Sequence, residues 1–266
     1  MTLLHSIALA MLFLSSGCAA RSIASAPTVD WSSPKEARAV RLEVADSLLG
    51  AGQVQSSLQV LAELRAEGHR SPELDVLQAR AMREAGLHHD AEALLQGVVQ
   101  RHPRRAGAHD ALGTLYLDMQ RIPDATDAYR TAVRLDEDSA RYLNNLGFAL
   151  LASQDYPGAV EALRKAIRID PTLVRARDNL GYALVAAGDT RYALEIFRST
   201  GSEADAQYNT GLGLELSGQT TDATRFYQAA VKSYPNHPQA TEALARLQAA
   251  TPAGPDSSSQ PVEEAP

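Results

Sequence analysis

The sequence predicts an all-α fold, a solenoid of about six helix-turn-helix units closed by a capping helix. Three observations carry that expectation. Small residues recur at Ala45, Ala79, Gly113, Gly147 and Gly181, each 34 positions after the last. Alanine recurs with the same step at Ala91, Ala125, Ala159 and Ala193. Only 5% of residues are aromatic, and alanine and leucine dominate, which suits close-packed helices better than a β-sandwich. A fixed period of this length marks stacked supersecondary units.

Taken in order, the chain opens with an apolar run at residues 7–14 (IALAMLFL), followed by Ser15, Ser16, Gly17 and then Cys18, the only cysteine in 266 residues. Eight apolar residues are too few to span a bilayer and suit a signal-peptide core. A single thiol forms no internal disulfide and completes no thiolate metal site. Residues 1–17 with Cys18 resemble a bacterial lipoprotein signal, which implies cleavage before Cys18 and acylation of its sulfur. Ala19 is not the aspartate that retains many such lipoproteins in the inner membrane, so the resemblance implies an outer-membrane anchor facing the periplasm. Each buried acyl methylene contributes about 0.8 kcal/mol to such an anchor. Residues 18–32 read as a lipidated tether, small, polar and without pattern.

At Ser33-Pro34-Lys35-Glu36 the character changes to a helix start: a capping serine, a first-turn proline and an acid three residues on. Six units follow over residues 33–237, starting near Arg38, Pro72, Ala106, Ala140, Val174 and Ala204. Small residues at the first recurring site let the two helices of a unit approach. Alanine at the second lets the unit nest against its neighbour. Gly52, Gly86, Gly188 and Gly218 fall at the turns inside units, where positive φ is useful. In the fifth unit Thr200-Gly201 ends the second helix early, and the step from Gly181 to Gly211 is shorter than those before it. The shortening predicts either a local bend or notch, or a neutral loop deletion. Residues 238–250 read as a capping helix, with Ala240, Leu244 and Leu247 on one stripe. Residues 251–266 (TPAGPDSSSQPVEEAP) read as a disordered acidic tail.

The fourth unit, LNNLGFALLASQDYPGAVEALRKAIRIDP, carries Leu146-Gly147, Ala159, Leu163, Ala166 and Pro171 at the small, large and proline positions of the tetratricopeptide repeat, which it resembles. The resemblance covers about 200 residues and implies a right-handed superhelix whose concave wall is lined mostly by the first helix of each unit.

Sites of chemistry are not apparent. His88-His89-Asp90 is the densest set of candidate ligands, but adjacent histidines do not share a helix face as a helical zinc pair does. There is no nucleophile elbow, phosphate loop or dinucleotide fingerprint. The sequence therefore predicts no enzyme, no cofactor and no small-molecule substrate. A net charge of −7 without a basic block argues against nucleic acid.

By the family resemblance, the groove-facing residues of the last three units are Arg141, Asn144, Asn145 and Phe148; Arg175, Asp178, Asn179 and Tyr182; and Asp205, Tyr208, Asn209 and Leu212. Asn145, Asn179 and Asn209 suggest a ladder of amides that pairs with the peptide groups of an extended ligand. Arg141 and Arg175 are suited to carboxylates. Asparagine at this position also serves helix packing alone. Together, a lipoprotein signal and about six repeats resemble the tight-adherence (Flp) pilus-assembly lipoproteins of the TadD class and the type IV pilus pilotins. That implies an interaction scaffold that assists pilus or secretion assembly by binding an envelope protein such as a secretin. The alternative is an adaptor that regulates peptidoglycan hydrolases or other envelope-biogenesis machinery.

Overall fold

A computed structural model of the protein describes residues 34–250. Among them are thirteen helices and no strand. In order they are α1 (Pro34–Gly50), α2 (Val54–Ala66), α3 (Pro72–Glu84), α4 (His88–Arg101), α5 (Ala106–Asp118), α6 (Ile122–Leu135), α7 (Ala140–Ala152), α8 (Tyr156–Ile169), α9 (Val174–Ala186), α10 (Thr190–Arg198), α11 (Glu203–Leu216), α12 (Thr220–Ser233) and α13 (Pro238–Ala250). The signal peptide, Cys18, the tether, the Ser33 cap and the acidic tail lie outside the described residues.

Each element packs on its sequence neighbours, and each first helix also touches the next first helix. That is the connectivity of a solenoid. The helices are short and marginal alone, so burial between neighbours stabilises them. Several starts are capped by side chains. Ser71 accepts from the Leu74 amide (3.2 Å), and Ser139 from the Tyr142 amide (3.4 Å). Asp155 and Asp189 cap α8 and α10 in the same way. At α11, Ser202 and Asp205 exchange bonds as a complete capping box.

A size exchange inside each unit builds the core. A Cβ placed on Gly113 would lie 2.7 Å from the Tyr129 ring, and one on Gly147 2.5 Å from Leu163. On Gly181 it would lie 2.4 Å from Phe197, and on Gly211 2.8 Å from Tyr227. These large partners are all at most 2% exposed. Each sits at the same fixed step beyond its glycine, and buried Leu61 and Leu95 follow Ala45 and Ala79 at that step too. The recurring alanines Ala91, Ala125, Ala159, Ala193 and Ala223 are fully buried. A larger side chain at such a site overpacks the interior.

The turns inside units need a left-handed residue. Gly52, Gly86, Gly188 and Gly218 take φ of +74°, +79°, +88° and +77°. The equivalent places in the third and fourth units hold Gln120 (φ 59°) and Gln154 (φ 64°), at a steric cost that glycine avoids.

The fifth unit is shortened as the sequence indicates. Helix α10 has nine residues, and Thr200 Oγ1 donates to the Phe197 carbonyl (3.0 Å) where it ends. A small hollow lined by Tyr182, Ala186, Gly213 and Leu216 lies between α9 and α11. Helix α11 closes against α9, with the Cβ position of Gly213 3.1 Å from Val185, which is fully buried. Beyond the sixth unit, His237 holds α13: its Nδ1 accepts the Ala240 amide (3.2 Å), which places its proton on Nε2. His237 is 3% exposed and packs on Tyr208 (ring centroids 5.3 Å apart).

Candidate functional site

A hollow of about 1320 Å³ runs along the wall made by α5, α7 and α9 and is edged by the starts of α4 and α6. It gathers seven of the twelve groove residues read from the sequence: Arg141, Asn144, Asn145, Phe148, Arg175, Asp178 and Asn179. Thr114, Leu117, Asp118, His88, Ile122 and Leu173 complete much of its lining. Its floor is mixed. Phe148 is 46% exposed and, with Leu117, Ile122 and Leu173, offers apolar contact beside the amides. Arg175 and Asp178 have no ion-pair partner among the described residues, so one free charge of each sign faces this space.

The amides are not a free ladder. Asn145 Nδ2 donates to Asp110 Oδ1 (2.8 Å), Asn144 Nδ2 to Asn145 Oδ1 (3.2 Å) and Asn179 Nδ2 to Asn144 Oδ1 (2.9 Å). The side chains of three successive first helices are thereby joined. Each Nδ2 keeps a second hydrogen, so a ligand meets amides already ordered by their neighbours. Packing and recognition, the two roles open to these asparagines, are here compatible.

Asp110 is the anchor of that run. It is 7% exposed, and burial pushes its carboxyl above the ordinary aspartate value, against the pull of Arg141, Asn145 and Arg80. Arg141 Nη2 lies 3.4 Å from Asp110 Oδ2, and its guanidinium lies over the Tyr142 ring (5.0 Å to the centroid). Burial works against the Arg141 charge, but Asp110 and Tyr142 together hold its pKa above the usual guanidinium value. Nearby, Tyr129 donates to Thr114 Oγ1 (3.0 Å), and burial pushes the Tyr129 phenol up to about 12.

Five sequence-predicted residues lie elsewhere. Tyr182 Oη donates to Asn209 Oδ1 (3.3 Å), closing the two on each other. Tyr182 also packs edge-on against Phe197 (5.1 Å) and lines a smaller hollow of about 230 Å³ with Leu216. Tyr208 turns into the packing between Tyr227 (5.7 Å) and His237. The sixth unit therefore adds little to the main groove, because the shortened α10 draws α11 onto α9. Of the other residues named with it, Asp205 caps α11, and Leu212 is partly buried.

Asp110, which lies beneath the groove and holds it through Asn145, and Thr114 and Asp118, which line it, do not appear in the register drawn from the last three units. A signal for the first two exists in the period itself: Asp110, Asn144 and Asp178 occupy one position of successive units, as do Thr114, Phe148 and Tyr182. A further hollow of about 390 Å³ continues the wall over α1, α3 and α5, with Glu43, Asp46, Glu73, Arg80 and Arg105 at its edge. His88 lines the main groove from the first turn of α4. Among the described residues no three His, Cys, Asp or Glu side chains gather as metal ligands.

Residues 111–173 and 205–237 each match the sequence profile of the tetratricopeptide repeat. No curated protein matches the chain. Solved structures do, at the level of fold. YrrB, described as a TPR protein with an unusual peptide-binding site, superposes with a TM-score of 0.54 at 20% identity, covering 69% of this chain and 96% of its own. PilF of Pseudomonas aeruginosa gives a TM-score of 0.60 at 16% identity, over 80% of this chain and 98% of that one. MamA gives 0.51 at 24% identity, over 60% and 90%. The helix pairs, the glycine-to-large-residue exchange and these matches together make the fold a tetratricopeptide-repeat solenoid.

Proposed function

We propose that this tetratricopeptide-repeat chain is a non-enzymatic scaffold, held at the outer membrane through acylated Cys18, that grips a segment of an envelope protein during assembly of a pilus or secretion apparatus. The observation that carries the reading is the groove on α5, α7 and α9. It offers ordered amides, unpaired Arg175 and Asp178 and half-exposed Phe148 along one wall. Such a surface suits an extended or helical peptide with apolar anchors and charges of both signs.

The address and the apparatus rest on the lipoprotein-like segment at residues 1–18 and on likeness. YrrB is described with a peptide-binding site, and PilF, which shares the fold over nearly its whole length, bears a pilus name. The test is in-cell cross-linking and affinity capture of the tagged chain at native level, with the double substitution Asn145→Ala and Asn179→Ala as control. Enrichment of a secretin or pilus component, lost in the double variant, is the expected result. Recovery of peptidoglycan hydrolases instead would replace the assembly role with the adaptor role. Equal capture by the variant would remove the amides from the binding surface.

A further inference from the structure

The run of amides has a fixed direction, and Asp110 fixes it. An ionised carboxylate only accepts hydrogen bonds. Asn145 must therefore turn Nδ2, not Oδ1, toward Asp110. Asn145 Oδ1 is then left to accept from Asn144, and Asn144 Oδ1 to accept from Asn179. Every nitrogen points toward Asp110 and every oxygen away. The run ends on Asn179 Oδ1, which accepts no hydrogen bond among the described residues and belongs to the groove lining. An amide at position 110 would impose no such direction, because it both donates and accepts.

We propose that Asp110 is a proton-sensitive positioning residue of the groove, whose ionisation orients Asn145, Asn144 and Asn179 as one unit and whose protonation releases them. The step is a simple one: the carboxylate takes a proton from solvent and becomes a neutral acid. It then ceases to attract Arg141 and gains a donor that can meet Asn145 Oδ1, so the first amide is free to turn over and the others to follow. The groove offers a partner its ordered set of amide atoms while Asp110 is ionised and loses that order when it is not. This deepens the reading of the groove as a partner site and rests on it, but the relay itself operates without a partner.

The surroundings favour a titration at Asp110 within reach. The side chain is almost fully buried, which disfavours its charge, while Asn145, Arg141 and Arg80 favour it. The charged and titratable groups facing it are few. From α3 come Arg80, bonded to Asp46 (2.8 Å), and Arg83, bonded to Asp118 (2.6 Å). Helix α6 supplies Tyr129, and α7 supplies Arg141 and Tyr142. Helix α4 presents apolar Leu95. On α5 itself Thr114 bonds the Asp110 carbonyl (3.0 Å), and His109 turns away to the Pro103 carbonyl (3.0 Å).

The experiment is an NMR titration of the full chain labelled with ¹⁵N and ¹³C, from about pH 3 to about pH 8. It follows the side-chain amides of Asn144, Asn145 and Asn179 and the Asp110 carboxyl carbon, alongside the variant Asp110→Asn. The expected result is one shared midpoint for all four groups, above the ordinary aspartate value, with the amide transitions lost in the variant. Asn209, whose oxygen is held by Tyr182 instead, should not follow. Movement of Asn145 alone, amides insensitive to pH, or a midpoint that persists in Asp110→Asn would overturn the proposal. Should that variant fail to fold, coincidence of the amide and Asp110 carbon midpoints in the wild type still decides. A negative result here removes the relay and leaves the groove reading standing; failed capture of a partner does the reverse.

Discussion

Replacing Gly181 with alanine tests the packing rule of the solenoid at its tightest point. The new Cβ would lie 2.4, 2.5 and 2.8 Å from Cζ, Cε1 and Cε2 of Phe197. Carbon atoms rest about 3.5–4.0 Å apart, so three contacts are roughly 1 Å too short. The ring has little room to retreat, since Phe197 is 1% exposed and Tyr182 packs against it. Overpacking of this kind costs about 1–3 kcal/mol, and the rigidity of the ring places this site toward the upper end. Alanine returns up to about 1 kcal/mol of helix propensity over glycine. The net expectation is a loss of about 1–2 kcal/mol, measured by urea unfolding followed by far-UV circular dichroism. Units one and two show the remedy, since there alanine faces leucine at Ala45/Leu61 and Ala79/Leu95. Adding Phe197→Leu should therefore recover part of the loss, with a coupling of at least about 1 kcal/mol in the double-mutant cycle. A neutral or stabilising Gly181→Ala, or strictly additive effects in the cycle, would refute the size-exchange rule.

The turns give an opposite prediction: Gln120→Gly and Gln154→Gly should each stabilise by about 0.5–1 kcal/mol by relieving positive φ, whereas Gly188→Ala should destabilise by about 1 kcal/mol. Urea midpoints check both. His237→Ala should remove the α13 cap at a cost of about 1 kcal/mol and speed amide exchange in α13 before any other helix. Burial raises the Asp110 pKa in the folded state, so the folded form binds this proton more readily than the unfolded chain. The stability contributed by this group is therefore full below the ordinary aspartate value and is lost as pH rises through the raised one. Asp110→Asn should accordingly raise the thermal midpoint at neutral pH, with the gain vanishing in acid, while it disorders the groove amides. Wild-type and variant melting curves across that range provide the check.

Much of the architecture is readable in the sequence because small residues at a fixed step leave few other packings. Gly113, Gly147 and Gly181 announce both the period and the close approach, and the large partner of each recurs with the same period. The groove is only partly readable. Residue types point to Asn145 and Asn179, but their occupation by Asp110 and Asn144 depends on how adjacent units are rotated. No single-unit pattern records that rotation. Carrying the register one unit back reaches Asp110 and Thr114. Nothing local marks Tyr208 as a packing residue rather than a groove residue; its place follows from the shortened α10, which brings α11 onto α9, and from His237 beyond the last unit. The histidine pair His88 and His89 divides between the groove edge and an exposed face of the first turn of α4, an outcome set by where that helix begins.

Entry of a partner along the wall of α5, α7 and α9 is tested most directly by in-cell photocross-linking. A reactive side chain placed at Phe148, in the groove, is compared with one at Glu161, exposed on α8 outside it. The expected result is a specific adduct with an envelope protein from position 148 and none of that mass from position 161. Adducts from position 161 with none from position 148 would contradict it and move the working surface to the other side of the solenoid.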